Sequence, residues 1–369
     1  MRLAFAIVTL FPWGGLQRDC LRMSRAARQA GHEVTIFTAR RFGELPGDLD
    51  VRVLPVGSLT NYGRNRRFSE ALRGALGGRF DRVVGFDKIP GLDVLYCGHS
   101  CYAESKPGFW RKLNPRVRGM LALEESCFAP DSRTRVLALA ESQVTAYRRA
   151  WETPPERITL LPPPIDAGRR HPEFRTDETR ERVRAKLGLA AETLVLLSIG
   201  AWPRTKGLDR IVAALPHFKE AKLLVCGAAS DNPEAVALVD QARSLGVADR
   251  ICLLGPREDV PQIMAAADLL VHPARVEAGG IVIVEAIVNG LPTIATALCG
   301  FSSHIRRADA GIVIPEPFTG HALIDALRRG TDRQARARWS ANGVSYGADP
   351  ELYAGIDRAL EAIVKGRLN

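Results

Sequence analysis

A regular alternation constrains this chain more than any other feature: short apolar runs recur along its 369 residues, with helix-length segments between most of them. Continuous apolar runs predict strands buried on both faces, as in parallel sheets. The intervening segments predict crossover helices. The sequence therefore predicts an α/β protein made of doubly wound, Rossmann-like sheets. The predicted strands are 3–8, 33–38, 51–54, 82–86, 135–139, 194–199, 222–226, 250–253, 268–271, 292–295 and 311–314.

The alternation is interrupted once, at the sequence LLPPPIDAGRR, residues 160–170. Three consecutive prolines cannot continue a helix or a central strand, so 162–175 is predicted to be an interdomain linker. A chain of this length also exceeds the size at which a single core keeps growing. Two Rossmann-like domains are predicted, 1–165 and 166–369, facing each other across a cleft. A C-terminal helix at about 350–369 is a candidate to pack back on the first domain.

The net charge of +10 lies entirely in the first part of the chain. Residues 1–150 contain 24 basic and 14 acidic residues, whereas the remainder contains 27 of each. Such an asymmetry indicates an anionic partner for the N-terminal domain, and a contribution to solubility is the alternative. Nucleic acid is disfavoured as that partner because no recognised binding module is present.

The cysteines indicate a reducing compartment. Their number is odd, and several lie in apolar runs typical of a core, so no disulfide framework is expected; they are Cys20, Cys97, Cys101, Cys127, Cys226, Cys252 and Cys299. No second pair with ligand spacing accompanies Cys97 and Cys101, which disfavours a zinc site. No apolar run approaches the length of a membrane span, and no secretion signal is recognised, so a cytoplasmic protein is predicted.

The first candidate ligand site is the turn LFPWGGLQRD, residues 10–19, between the first strand and a helical pattern. Its two glycines, Gly14 and Gly15, do not form the G-x-G-x-x-G fingerprint, so nicotinamide dinucleotides are disfavoured. Two glycines still allow close approach of the backbone to a ligand at a helix start. A tight turn without a ligand is the alternative, and the polar Arg18 and Asp19, predicted to lie in the first helical turn, make it less attractive.

A second candidate is SIGAWPRTKGLDR, residues 198–210. A strand is predicted to end at Ile199–Gly200, a loop to carry Arg204 and Lys206, and a helix to begin near Gly207. Lys206 would then lie at the carboxyl end of the strand and act as a point charge on a phosphate. A solvated lysine in a loop is the alternative.

The third candidate, residues 272–292, is the most specific. Glu277 and Glu285 are separated by seven residues, and Gly279–Gly280 open a predicted helix at 281–288. Amides at a helix start can receive a diphosphate, because the helix dipole favours negative charge there. Glu285 can accept hydrogen bonds from ribose hydroxyls, and Glu277 from the hydroxyls of a sugar. The pattern therefore predicts a site for a nucleotide diphosphate that bears a sugar.

These motifs carry a family resemblance. EAGGIVIVE resembles the E-x7-E motif of the retaining glycosyltransferases of family 4, which have the two-domain GT-B architecture. Other segments are similar to bacterial lipopolysaccharide-core enzymes that place glucose on the first heptose of the inner core. Those segments are FPWGGLQRD, RVVGFDKIPGLDVLY, CYAE, LLPPPI, TKGLDR, MAAADLLVHPA and GLPTIATALCGF. The resemblance extends from the first strand to about Phe318.

The resemblance implies UDP-glucose as the donor and assigns its contacts. Lys206 and Arg169 would face the diphosphate, Arg257 the uracil, Glu285 the ribose and Glu277 the transferred sugar. The amides of Gly279, Gly280 and Ile281 would serve the sugar and diphosphate. Gly14 and Gly15 would close over the diphosphate, with Asp19 near the sugar or acceptor. His99 stands where the core enzymes carry Asp and many other family members carry His; it would contact the donor sugar or orient the acceptor, a structural histidine being the alternative.

The implied reaction retains anomeric configuration. Lys206, Arg169 and helix-start amides would stabilise the leaving UDP without a metal, and no Asp-x-Asp motif stands where a metal-dependent enzyme needs one. The UDP-sugar is a substrate, so no cofactor is expected. A covalent carboxylate intermediate and same-face attack assisted by the leaving phosphate both give retention, and the sequence does not choose between them.

The implied acceptor is a phosphorylated, lipid-linked saccharide at the inner face of the cytoplasmic membrane. Arg64, Arg66 and Arg67 are candidates to meet its phosphates. Residues 106–121 mix basic and aromatic side chains, which is typical of segments lying on anionic headgroups. Peripheral membrane association is therefore expected, and a helix packed within the first domain is the alternative. The candidate residues are Lys106, Trp110, Arg111, Lys112, Arg116 and Arg118.

Three alternatives stay open at this point. The same class of enzyme could use another cell-surface polysaccharide precursor, UDP-galactose or a UDP-N-acetylhexosamine. A UDP-sugar epimerase shares the two-domain build but needs additional acid–base carboxylates. A non-catalytic saccharide binder would not need Glu277, Glu285 and Lys206 together.

Overall fold

The computed structural model describes residues 1–12, 14–44, 47–104 and 113–366. The chain forms two compact units. Unit 1 contains Met1–Pro164 and the segment from Tyr353 onward, and unit 2 contains Ile165–Leu352. The change from unit 1 to unit 2 at 164/165 falls inside the proline-rich stretch.

Unit 1 is built on a parallel sheet of seven strands in the order β3-β2-β1-β4-β5-β6-β7. The apolar first strand lies near its centre and is almost completely buried. The strands are β1 (Arg2–Leu10), β2 (Glu33–Arg41), β3 (Asp50–Val53), β4 (Arg82–Gly85), β5 (Val94–Cys97), β6 (Arg135–Ala138) and β7 (Ile158–Leu160).

The helices of unit 1 cover this sheet and begin at residues suited to helix starts. Thr60 and Asn114 accept hydrogen bonds from first-turn amides of their helices, which satisfies donors without intrahelical partners. The last helix packs on the first, and the Arg135 guanidinium donates to the Ala362 carbonyl, 3.0 Å away. The helices are α1 (Gly15–Gln29), α2 (Asn61–Leu76), α3 (Pro115–Phe128), α4 (Glu141–Trp151) and α14 (Gly355–Lys365).

Unit 2 is built on a parallel sheet of six strands in the order β10-β9-β8-β11-β12-β13. Neighbouring residues of these strands alternate between two hydrophobic clusters, as Leu196 and Leu197 do, so both faces of the sheet are covered. The strands are β8 (Leu194–Ile199), β9 (Ala221–Cys226), β10 (Ile251–Gly255), β11 (Leu269–His272), β12 (Thr293–Thr296) and β13 (Gly311–Ile314).

Nine α-helices cover this sheet within the described part of unit 2. They are α5 (Thr179–Lys186), α6 (Pro203–Lys206), α7 (Leu208–Ala214), α8 (Pro233–Ser244), α9 (Val260–Ala266), α10 (Ile281–Val288), α11 (Ser302–Arg307), α12 (Gly320–Thr331) and α13 (Arg333–Tyr346). None of the helices in the described ranges has the length and apolar character needed to cross a bilayer.

Each sheet reverses its strand order beside its first strand, at β1/β4 in unit 1 and at β8/β11 in unit 2. Connections leave such a switch point toward opposite faces of the sheet, which opens a crevice at the carboxyl ends of the strands. The segments that follow β8 and β11 contain Lys206 and Glu277. The topology therefore brings together two motifs that lie about 70 residues apart in the sequence.

The α/β prediction with two doubly wound parallel sheets is confirmed. Every predicted strand overlaps an observed one, but β5 and β7 were not predicted. The β5 residues follow Pro90, Gly91 and Asp93, a sequence typical of a turn. β7 is an edge strand of only three residues, too short to show a period.

Candidate active site

Lys206 ends α6, a one-turn helix after β8, so the predicted loop for Arg204 and Lys206 is wrong. Pro203 is suited to the first turn, where a missing N–H costs nothing. Gly200 allows the lysine to lie over the strand end, because a Cβ at 200 would come 2.7 Å from the Lys206 Cγ. Gly207 then reverses the chain with a φ of 74° and precedes α7, in agreement with the predicted helix start.

Lys206, Glu277 and His272 form a compact cluster at the switch point of unit 2. The Lys206 ammonium donates to Glu277 Oε2, and His272 Nε2 lies 3.1 Å from that same oxygen. Among the described residues, Glu277 Oε1 has no hydrogen-bond partner. The imidazole is fully buried, and the side chains of Lys206 and Glu277 are 21% and 14% exposed. One oxygen of the carboxylate is therefore held by the protein, and the other is left for a ligand.

The surroundings keep Glu277 ionised. Burial favours the neutral acid, but the hydrogen bond from His272 and the charge of Lys206 outweigh burial and lower the pKa of Glu277 to about 2. A carboxylate of this kind only accepts hydrogen bonds at neutral pH. It therefore suits recognition of hydroxyl groups and does not suit a general acid.

The loop that carries Glu277 is fastened to the helices after β8. The Arg275 guanidinium makes two 2.6 Å bonds to the Asp209 carboxylate, and its amide donates to the Thr205 carbonyl. Arg210 donates to the Pro273 carbonyl at 2.9 Å. These contacts join the segment that carries Lys206 to the loop that carries Glu277. The two side chains are therefore already held near each other, which reduces the entropy lost when the pair forms.

Helix α10 starts directly after this loop, at the residues predicted for it. Gly280 adopts a φ of 90°, and a Cβ there would come 3.1 Å from the Glu277 Cγ. No side chain of the described residues caps the helix start, so the amides before Ile283 are available to an anion, while the Ile283 amide donates to the Gly280 carbonyl at 2.8 Å. Gly279, Gly280 and Ile281 thus lie beside Glu277, as their sequence positions require.

Glu285 lies on α10 and is paired with Arg169. The Arg169 Nε is 3.0 Å from Glu285 Oε1, and the carboxylate side chain is 7% exposed. Asn289 connects the two segments, because its amide nitrogen donates to the carbonyls of Arg169 and Glu285 at 3.0 and 2.8 Å. The structure brings these two predicted residues together, while the connecting Asn289 was missed.

Arg257, the remaining predicted donor contact in unit 2, follows β10. Its guanidinium makes bonds of 2.8 and 2.6 Å to the Asp259 carboxylate. This pairing holds the pKa of Asp259 below its usual value. The observed contacts do not join Arg257 to the Lys206–Glu277 cluster.

In unit 1, Gly14 and Gly15 open α1 after β1. A Cβ at Gly14 would come 2.0 Å from the Gln17 side-chain oxygen, whereas a Cβ at Gly15 would meet open space. A side chain at Gly14 would therefore displace the Gln17 side chain and crowd the Phe11 ring, whereas a side chain at Gly15 would meet no neighbour. No side chain of the described residues caps α1.

Asp19 and His99 each belong to a small polar group in unit 1. Tyr96 donates its hydroxyl to Asp19 at 3.0 Å, and burial together with this carboxylate raises the pKa of Tyr96 well above its usual value. His99 Nε2 is 3.2 Å from Asp87, and the other oxygen of Asp87 accepts the Val8 amide at 2.7 Å. Asp19 lies one turn inside α1, not in its first turn.

A buried ion pair supports the loop that carries His99, and sequence reasoning missed it. The Lys88 ammonium donates to the completely buried Glu124 carboxylate and to the Ser100 carbonyl. Glu124 also accepts the amides of Tyr102 and Ala103, each at 2.8 Å. Lys88 follows a strand within "FDKIP", which gives no signal that its partner lies 36 residues later.

The described members of the predicted basic set lie on α2 and α3, where Arg66 and Arg67 are exposed and Arg64 is half-buried. On α2, Arg66 is 3.8 Å from Glu70, Arg67 donates to the Gly57 carbonyl, and Arg64 donates to Asn61 at 3.1 Å. Arg116 and Arg118 are exposed on α3. Lys106, Trp110, Arg111 and Lys112 lie outside the described residues.

Within the described ranges, no group of three or more His, Cys, Asp or Glu side chains is arranged to hold a metal ion. All seven cysteines are free thiols, and only Cys252 is exposed. The Cys299 thiol lies close enough to Glu277 to feel its charge. Burial raises the pKa of this thiol to about 12.

Two Rossmann-like units, with an anion-suited helix start and a Lys–Glu pair at one switch point, are the features of a GT-B glycosyltransferase. Residues 13–169 match the family model Glycosyltransferase Family 4, and residues 179–345 match Glycosyl transferases group 1. The chain is 36% identical over 374 residues to the lipopolysaccharide glucosyltransferase WaaG of Escherichia coli (strain K12), covering 99% of each. It is 27% identical to the D-inositol 3-phosphate glycosyltransferase of Xylanimonas cellulosilytica, covering 93% of this chain and 91% of the relative.

Solved structures agree with the family. The crystal structure of WaaG, a glycosyltransferase involved in lipopolysaccharide biosynthesis, matches with a TM-score of 0.91 at 35% identity, covering 98% of this chain and 99% of that one. Anabaena HepE in complex with UDP-glucose matches with a TM-score of 0.77 at 18% identity over the whole of both chains, which shows the fold alone. The chain belongs to the glycosyltransferases that join a family 4 half to a group 1 half, and it is a glycosyl-transferring enzyme.

Proposed function

We propose that the protein transfers a hexose, glucose in the first place, from a UDP-sugar to a heptose of the lipopolysaccharide inner core or to a similar lipid-linked saccharide, with retention of configuration. The observation that carries this proposal is the Lys206–Glu277 pair beside the uncapped start of α10. The similarity to the E. coli lipopolysaccharide glucosyltransferase over 99% of both chains supports the acceptor class.

The contacts of unit 2 support the assignment of different residues to different parts of the donor. The ionised Glu277 offers Oε1 to hydroxyls of the transferred sugar, since its other oxygen is held by Lys206 and His272. We assign Glu285 to accept hydrogen bonds from the ribose and Arg257 to contact the base. We assign Gly14, Gly15, Asp19 and His99 of unit 1 to contacts with the donor or the acceptor.

The chemical step generates negative charge on the departing diphosphate. The departing diphosphate is stabilised by the positive charges of Lys206 and Arg169. It also receives hydrogen bonds from the amides of Gly279, Gly280 and Ile281. Groups fixed in place before the reaction provide preorganised electrostatic stabilisation. We propose that these groups suffice without a metal ion. In same-face attack the departing phosphate accepts the proton of the acceptor hydroxyl as the new glycosidic bond forms and the bond to UDP breaks. The double-displacement route instead requires a carboxylate nucleophile on the other face of the sugar.

We further propose that unit 1 associates with the anionic inner face of the cytoplasmic membrane. The exposed arginines of α3 and α2 support this, together with the charge excess of +10 in residues 1–150. Basic residues near an anionic surface each add a small attraction that salt screens. Arg64, Arg66 and Arg67 are the proposed contacts for phosphates of the acceptor.

The test is UDP release from UDP-glucose with and without a heptose-terminated core acceptor, in buffer containing EDTA, with Glu277→Gln, which should retain only a low residual kcat, as the control. Acceptor-dependent UDP release, with an α-linked product seen by NMR, supports the proposal. A panel of UDP-galactose and UDP-N-acetylhexosamines identifies the donor. Sugar interconversion without net UDP release would indicate an epimerase, and neither product would indicate a binding protein.

A further inference from the structure

His272 is a polar residue at an apolar position. It ends β11, whose other residues Leu269, Leu270 and Val271 are fully buried aliphatic side chains. The imidazole is itself fully buried. Polar groups in such surroundings persist where a partner compensates for the lost hydration.

The contacts of the ring define its tautomer. Nε2 lies 3.1 Å from Glu277 Oε2, and a carboxylate oxygen can only accept, so Nε2 carries the hydrogen. Nδ1 is buried and has no hydrogen-bond partner among the described residues. A hydrogen on Nδ1 would be an unpaired donor in the core, so the neutral Nε2–H form fits best. The single N–H group of the His272 ring then donates to Glu277.

We propose that His272 is a positioning residue for glycosyl transfer: its Nε2–H holds one carboxylate oxygen of Glu277, so that the other oxygen is presented, ionised, to the hydroxyls of the donor sugar. This inference rests on the proposed function of Glu277. His272, on a strand, would thus orient the carboxylate of Glu277, which lies in a loop.

Three titratable groups face Glu277 from the elements packed around it. Lys206 approaches from α6, His272 from β11, and the Cys299 thiol from the loop after β12. Cys299 stays neutral because burial raises the pKa of its thiol to about 12. Loss of His272 would therefore leave Lys206 as the remaining group that favours the carboxylate.

The experiment compares His272→Met, which keeps bulk without a donor, with His272→Gln, which keeps an N–H donor. Circular dichroism and UDP calorimetry establish that each variant is folded and binds the nucleotide. We expect His272→Met to lower kcat by about tenfold, the scale of losing one hydrogen bond to a charged group. The acid limb of its kcat–pH profile should move to higher pH, with UDP affinity unchanged and His272→Gln closer to wild type.

A double-mutant cycle separates positioning from simple packing. In a Glu277→Gln background, His272→Met should lower the residual kcat little further, because the carboxylate that it orients is already gone. An equal loss in both backgrounds, or an unchanged kcat and pH profile for His272→Met, would overturn the inference. Wild-type protein inactive with every UDP-sugar would instead refute the proposed function, so the two failures are distinguishable.

Discussion

At the residue scale, the candidate site is centred on the carboxylate of Glu277. Glu277 is surrounded by a lysine, a buried histidine and a helix start, so it stays charged where burial alone would neutralise it. The sequence singled out Glu277 by its seven-residue spacing from Glu285, and Lys206 by its position after a predicted strand. It did not identify His272, because a histidine at the end of an apolar run reads as part of the strand.

The first residue-scale prediction concerns Lys206. Lys206→Ala should lower kcat by about a hundredfold or more, because one preorganised donor at the leaving group is lost. UDP release measured with saturating acceptor checks this. Lys219→Ala, at an exposed lysine of unit 2, is the matched control and should remain active. Full activity of Lys206→Ala would remove its phosphate role.

A second prediction concerns acid stability. The pKa of Glu277 is about 2 in the folded protein, against an ordinary value of 4.5, so the carboxylate contributes stability above pH 4.5 that is lost as pH falls toward 2. That contribution is on the order of 3 kcal/mol. Thermal melts of wild type and Glu277→Gln from pH 7 to pH 3 should show the stability difference shrinking toward acid. A difference independent of pH would contradict the shifted pKa.

At the scale of elements, regular patterns were predictable and long-range pairings were not. Helix α10 was predicted at its observed ends, because two glycines precede a run that is apolar apart from Glu285. The α6 turn was mistaken for a loop, since four residues are too few to display a helical period. The Arg169–Glu285 and Lys88–Glu124 pairs join segments 116 and 36 residues apart, and only the fold defines such neighbours.

The start of α10 gives an element-scale prediction. Gly280→Ala should destabilise the protein by about 1–2 kcal/mol, because a left-handed φ is costly for any residue with a Cβ. It should also lower turnover, since that Cβ would crowd the Glu277 side chain. Chemical denaturation and UDP release measure the two effects. Gly320→Ala, where an added Cβ meets open space at the start of α12, is the control and should change neither.

At the scale of the whole molecule, the charge is distributed unevenly along the chain. The C-terminal part is neutral overall, and the excess lies in residues 1–150. The uneven charge could be predicted by counting residues. The structure was needed to show that Arg66 and Arg67 on α2 and Arg116 and Arg118 on α3 are exposed. The family and the α/β architecture were also predictable, because both depend on patterns repeated along the chain.

Membrane association gives the prediction at this scale. Co-sedimentation with vesicles containing anionic lipid should decrease as salt increases and should fall further in Arg116→Glu/Arg118→Glu, because charge reversal replaces attraction with repulsion. Arg328→Glu/Arg329→Glu on α12, also exposed, is the control. Binding that is indifferent to salt, lipid charge and the α3 substitutions would contradict the proposal.

The return of α14 to unit 1 has a consequence for biosynthesis. Gly355 packs so closely on the Pro162 and Pro163 carbonyls that a Cβ would come 2.6 Å from each oxygen, and α14 rests on α1. All of Ile165–Leu352 leaves the ribosome before that helix does. During translation, the α1 surface that α14 covers therefore stays uncovered until all of unit 2 has been synthesised.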